Sequence, residues 1–141
     1  MNETEWDEET LHYVAGFLDG EGCFSVDEER WKVRVSCANT NRPIIEWLCR
    51  NFGGSFCKNA TRRRRPHHRR TYSWSVVSRD ASDFCCVIAP YLKEKAEQAL
   101  LLIAIQQTMG IRRGKFTPPA ILEERRNLSQ RLKELKHVSW E

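Results

Sequence analysis

The sequence predicts an α+β domain: an antiparallel sheet covered by helices on one face, in the order αββαββα, followed by C-terminal helices. Three observations carry this expectation. Two pairs of segments alternate apolar and polar residues with the period of a strand. Around and between them, apolar residues recur at helical spacing. The 141 residues suffice for one ordinary domain with a single core. The chain therefore reads as one domain over 1–141, with its core over about 7–109 and a helical extension over 110–141.

The elements follow in order. Asp7, Glu8 and Glu9 open a helix, because the positive end of a helix favours acids. Leu11, Val14, Ala15 and Leu18 give it an apolar face, and Gly20 and Gly22 end it. Residues 23–27 and 31–39 read as two strands: Phe24 and Val26 alternate with Ser25 and Asp27, Val33 and Val35 with Lys32, Arg34 and Ser36. Asn41 suits an N-cap and Pro43 a first turn; Ile44, Ile45, Leu48 and Phe52 form the next apolar face, and Gly53-Gly54 stops it. A second strand pair is expected over about 55–62 and 71–77, with Tyr72, Trp74 and Val76 facing the core. A helix follows over about 79–88. Pro90 is expected to start a longer one through Met109, and Thr117-Pro118 to open a last one.

Composition narrows function. No stretch reaches the ~18 uninterrupted apolar residues of a membrane span, so no membrane partner is expected. The first nine residues are acidic, unlike a secretory or mitochondrial leader. The six cysteines form no CxxC pair and no Cys/His ligand spacing. This points to reduced thiols in an intracellular, reducing compartment, the cytoplasm or an organelle, rather than to zinc or disulfides. The net charge of +4 hides segregation. Residues 1–29 hold ten acids and no Lys or Arg, whereas residues 30–79 hold thirteen Lys/Arg and one acid, Glu46. Such a basic middle third calls for a polyanion, and nucleic acid is the usual one. A purely structural or protein-interaction domain is disfavoured for the same reason.

Residues 14–22, Val-Ala-Gly-Phe-Leu-Asp-Gly-Glu-Gly, break ordinary helix rules twice. Ala15, Gly16 and Gly20 leave a stripe almost without side chains, although each Gly costs about 1 kcal/mol against Ala in a helix. Close approach of another backbone would justify them. Asp19 and Glu21 stand at the helix C-terminus, where the dipole disfavours acids. A bound cation would offset that cost, and a carboxylate is a suitable hard ligand for Mg²⁺.

This nonapeptide resembles the motif of the LAGLIDADG homing endonucleases. Val14 replaces the first Leu, Gly20 the second Ala, and Glu21 the second acid. Tyr13 before it and Cys23-Phe24 after it, Asn39-Thr40-Asn41, Phe52-Gly53-Gly54 and the run from Pro90 to Lys95 resemble further landmarks of that family in the same order, over about residues 11–109. The resemblance implies a site-specific, metal-dependent double-strand DNA endonuclease using Mg²⁺ or another divalent cation. It implies Glu21 as metal ligand with help from the Gly20 carbonyl, Asp19 as a structural cap at the helix interface, and Lys95 near the attacking water. A polar residue at the end of the second strand, Asn39 or one near Cys37, would complete the site. One motif copy implies a homodimer packed through Ala15, Gly16, Asp19 and Gly20, and a long pseudo-palindromic target. Homing from an intron or similar element rests on the resemblance alone. A cleavage-inactive DNA-binding regulator, or an RNA-binding maturase, remains open on the same fold.

The expected readout surface is the sheet face away from the helices. It would present Ser25, Asp27, Lys32, Arg34 and Ser36, with Lys58, Ser73 and Ser75 from the second pair. Between those strands, Arg62, Arg63, Arg64, Arg65, Arg69 and Arg70 are six arginines in nine residues, interrupted by Pro66, His67 and His68. Arginine grips phosphate and reads guanine in a bidentate way. No Ser/His/Asp or Cys/His nucleophile arrangement is present.

Overall fold

The computed structural model describes residues 6–59, 70–109 and 117–137. Arg62, Arg63, Arg64, Arg65 and Arg69 lie outside the described residues. Helix α1 (Glu8–Glu21) starts where the Asp7 carboxylate accepts the Thr10 N–H at 2.8 Å. It leads into β1 (Gly22–Asp27) and β2 (Lys32–Asn39). Helix α2 (Arg42–Phe52) is capped by Asn41, whose side chain accepts the Ile44 N–H at 3.3 Å. Strands β3 (Ser55–Lys58) and β4 (Tyr72–Val77) follow, then α3 (Ser78–Ile88), a 3₁₀ turn at Ala89–Tyr91, α4 (Ala96–Gln107) and α5 (Pro119–Lys136).

The four strands form one antiparallel sheet in the order β1-β2-β4-β3. Register gives each face its contents. Phe24, Val35 and Val76 share one row, and Cys37, Trp74 and Phe56 the next, on the face that helices α1 to α4 cover. Trp74, Phe24, Val33 and Val35 are fully buried there, with Val14, Leu18, Leu48, Phe84, Leu102 and Ile105. The other face carries Ser25 beside Arg34, and Ser36 beside Ser75. The predicted α+β class and its element order are therefore observed.

Two glycines are required sterically. A Cβ on Gly54 would meet the Ser75 carbonyl oxygen at 2.3 Å, and φ is +91°. A Cβ on Gly22 would meet the Leu18 carbonyl oxygen at 2.7 Å, so only glycine lets the chain leave α1 and enter β1 at once. One element differs from expectation. The helix expected from Pro90 to Met109 is divided: a 3₁₀ turn ends at Tyr91 and α4 begins only at Ala96. The cause is an acid on another helix, described next.

Candidate functional site

The end of α1 is where the chemistry-bearing residues meet. Asp19, two residues before the end of the helix, points its carboxylate at the segment before α4. It accepts backbone N–H groups from Lys93 at 2.8 Å, Glu94 at 3.2 Å and Lys95 at 3.0 Å. Only Lys95 belongs to the helix start, as its N-cap residue; Lys93 and Glu94 precede it, so Asp19 holds the turn that leads into α4. No local side chain caps α4, and an acid from α1 instead fixes the backbone that enters it. This is why the helix starts at Ala96 and not at Pro90. Lys95 returns the interaction. Its ammonium donates to the carbonyls of Leu18 at 3.3 Å and Gly22 at 2.6 Å, neutralising the negative end of α1.

Glu21 lies between those two carbonyl positions and is exposed. It has no ion pair with a described residue. Its charge reaches inward, since the buried Cys37 thiol is pushed up to about 12, by burial first and by Glu21 second. A cleft of about 510 Å³ opens beside it, bordered by Gly22 and Cys23 of β1, Glu94, Lys95 and Glu97 around the start of α4, and Lys136 of α5.

Several expected roles are displaced. Ala15 is fully buried in its own core, packed there with Leu11, Val14 and Leu18, and offers nothing to a second chain. Asp19 is committed to capping within its own chain. Gly16 and Gly20 are exposed, and a Cβ on either would meet nothing within 4 Å, so nothing among the described residues requires glycine there. They share the outward face of α1 with His12 and with Tyr13, which is 54% exposed. The Asn39 side chain accepts the Asn41 N–H at 2.8 Å and shapes the turn into α2. It sits opposite Tyr72, on the row of the helix-covered side, and not on the open face.

On the open face, Ser25, Lys32, Arg34, Ser36, Ser73 and Ser75 stand as expected. Asp27 stands with them, and it and Ser73 carry other duties. Asp27 accepts the Glu29 N–H at 3.0 Å to close the hairpin turn, and the Ser73 hydroxyl donates to Asn59 at 3.2 Å. Lys58 is not on this face. It pairs with Tyr72, two residues from the buried Trp74, and Cys57 takes the open-face position opposite Ser73. Phe56, two residues earlier and on the core side, is the sequence signal that places Lys58 with it. Arg70 is exposed where the arginine run meets β4.

The last helix expected from Thr117-Pro118 is α5, but its attachment to the β1–β2 turn was not foreseen. Its Ser129 hydroxyl donates to Glu28 at 2.7 Å and Lys133 pairs with Glu28 at 2.5 Å, fastening the helix to the β1–β2 turn. These bonds hold the Glu28 carboxyl below the usual range, Lys133 contributing most. Lys136 thereby reaches 3.8 Å from Cys23 at the sheet edge.

No protein-family model and no curated protein matches the chain. Solved structures do. A complex of the homing endonuclease I-CvuI with its DNA target, in calcium, superposes with a TM-score of 0.71 at 20% identity, covering 94% of this chain and 85% of that one. The archaeal intron-encoded I-Vdi141I, bound to DNA, gives 0.73 at 20% identity over 94% of this chain and 87% of that one. I-SmaMI, bound to uncleaved DNA with calcium, gives 0.64 at 22% identity over 92% of this chain and 46% of that one. The fold is that of the homing endonucleases.

Against the homing-endonuclease fold, the donor set at the end of α1 can be tested for a divalent cation. Among the described residues no group of three His, Cys, Asp or Glu could cage a metal. One unpaired carboxylate does suit Mg²⁺, which keeps several waters and completes its shell with substrate phosphates. Glu21 fits such an open site, and Asp19, with its three amides, does not.

Proposed function

We propose that this protein is a site-specific, metal-dependent double-strand DNA endonuclease that acts as a homodimer. The observation that carries the reading is the placement of Glu21: an exposed acid at the end of a helix, without an ion pair among the described residues, next to a sheet face of serines and Arg34 that no described helix covers. DNA-bound proteins of the same fold support it. Glu21 would hold the cation, with the Gly20 carbonyl beside it. When bound, the cation would lower the pKa of a water and stabilise the charge that develops on the cleaved phosphodiester.

The chain's own residues supply the rest. Arg34, Lys32 and the hydroxyls of Ser25, Ser36 and Ser75 contact the duplex, fixing which phosphate reaches Glu21. The outward face of α1, where Gly16 and Gly20 permit close backbone approach, brings a second copy and a second Glu21 for the other strand. The homing role, and an intracellular, reducing location, belong to the same proposal.

The test is Glu21→Gln. The amide keeps the shape but cannot neutralise a cation. We expect unchanged folding and DNA binding with cleavage reduced by at least about 10³-fold, since loss of one essential catalytic group has effects of this order. Undiminished cutting in Mg²⁺ would remove Glu21 from the mechanism.

A further inference from the structure

Asp19 holds the entry to α4, and Lys95 holds the exit of α1. The Asp19 carboxylate accepts the amides of Lys93, Glu94 and Lys95 in the turn just before α4. The Lys95 ammonium satisfies the carbonyls of Leu18 and Gly22 across the end of α1. Each charge sits at the helix end whose dipole attracts it. The two anchored carbonyls flank Glu21, and Gly22 has no room for a side chain against Leu18. The backbone carrying Glu21 is thus fixed on both sides, while the Glu21 side chain itself stands exposed.

We propose that Asp19 and Lys95 form a reciprocal clasp that sets the direction of the Glu21 carboxylate, Lys95 serving as a positioning residue and Asp19 acting through it. Two of the three ammonium donors of Lys95 are taken by main-chain carbonyls. Its charge acts on the helix end more than on an attacking water. The proposal rests on the nuclease reading for its catalytic consequence, and on geometry alone for the clasp.

The experiment combines Asp19→Asn, Lys95→Met and the double variant. Nitrogen NMR of the lysine ammonium groups in the full-length protein reads the clasp without activity. A slowly exchanging Lys95 ammonium in the wild type, lost in Asp19→Asn, supports it; a freely exchanging ammonium in the wild type overturns it. Single-turnover cleavage over a Mg²⁺ titration reads the consequence. Each single variant should slow cleavage by about 10- to 100-fold and raise the half-saturating Mg²⁺, as a small misplacement of a catalytic group does. DNA affinity should change by less than about twofold. The double variant should be no slower than the slower single one, because both break the same device. Multiplied effects, or an unshifted Mg²⁺ midpoint, would mean that Lys95 acts on the water and Asp19 elsewhere. If Asp19→Asn does not fold, Lys95→Met carries the test alone through the Mg²⁺ midpoint, because it leaves the three Asp19 bonds in place. A wild-type protein that cuts no duplex ends the nuclease reading, and the ammonium signal then decides the clasp by itself.

Discussion

At the scale of the residue, Cys37 reports on Glu21. Its thiol is buried beside that acid and ionises near 12, against an ordinary value of 9.0. The sign follows directly. Between those two values the unfolded chain releases a proton that the folded chain keeps, so stability is intact below pH 9 and falls as pH rises toward 12. We expect denaturation midpoints to fall more between pH 8 and pH 10.5 in the wild type than in Cys37→Ala. Equal pH slopes would show that the thiol is not held back by the fold. Cys85 is pushed up as well, by burial and then by Cys86, and stays constant in that comparison. The charge half of the effect was hidden from the sequence, because Glu21 and Cys37 meet only through the pairing of Gly22 with Cys37.

At the scale of the element, α1 has one face turned to its own core and one turned outward. The inward residues Leu11, Val14, Ala15 and Leu18 were legible from their spacing. So was the abundance of small residues, but only the structure separates buried Ala15 from exposed Gly16 and Gly20. Gly16→Leu should therefore leave the monomer folded, since its Cβ meets nothing within 4 Å. If α1 pairs with a second α1, the same change should convert dimer to monomer in sedimentation at micromolar concentration and abolish double-strand cutting. A dimer that survives Gly16→Leu would place the interface elsewhere. The strands were readable where alternation was long, as in β2, and misread in the four-residue β3, where Lys58 went to the wrong face. The start of α4 was beyond any local pattern, because the turn before it is held by Asp19, far away in sequence. The fastening of α5 to Glu28 was hidden for the same reason.

At the scale of the whole molecule, charge is distributed unevenly over the surface that would meet DNA. The described open face is mostly hydroxyl-lined, with Arg34 and Lys32 as its expected cations. The arginine run between β3 and β4 would then supply most of the phosphate grip. Replacing Arg63, Arg64 and Arg65 with Ser should flatten the slope of log K against log salt by roughly 2 to 3 units per protomer, at about 0.9 per phosphate contact. Cognate and scrambled duplexes should lose affinity alike. An unchanged slope would return the footprint to Arg34 and Lys32, and a loss confined to cognate DNA would mean that an arginine reads a guanine edge. The stem from which this run departs is latched: the Asn59 N–H donates to the Thr71 carbonyl at 2.9 Å, and the Asn59 amide to the Thr71 hydroxyl at 3.0 Å. Whatever sequence joins those two residues, the strands below it are already closed, and lengthening such a connection costs little, about 0.6 kcal/mol per doubling. That segment can therefore be exchanged or lengthened without disturbing Trp74 or Glu21, so binding preference and cutting could diverge independently under selection.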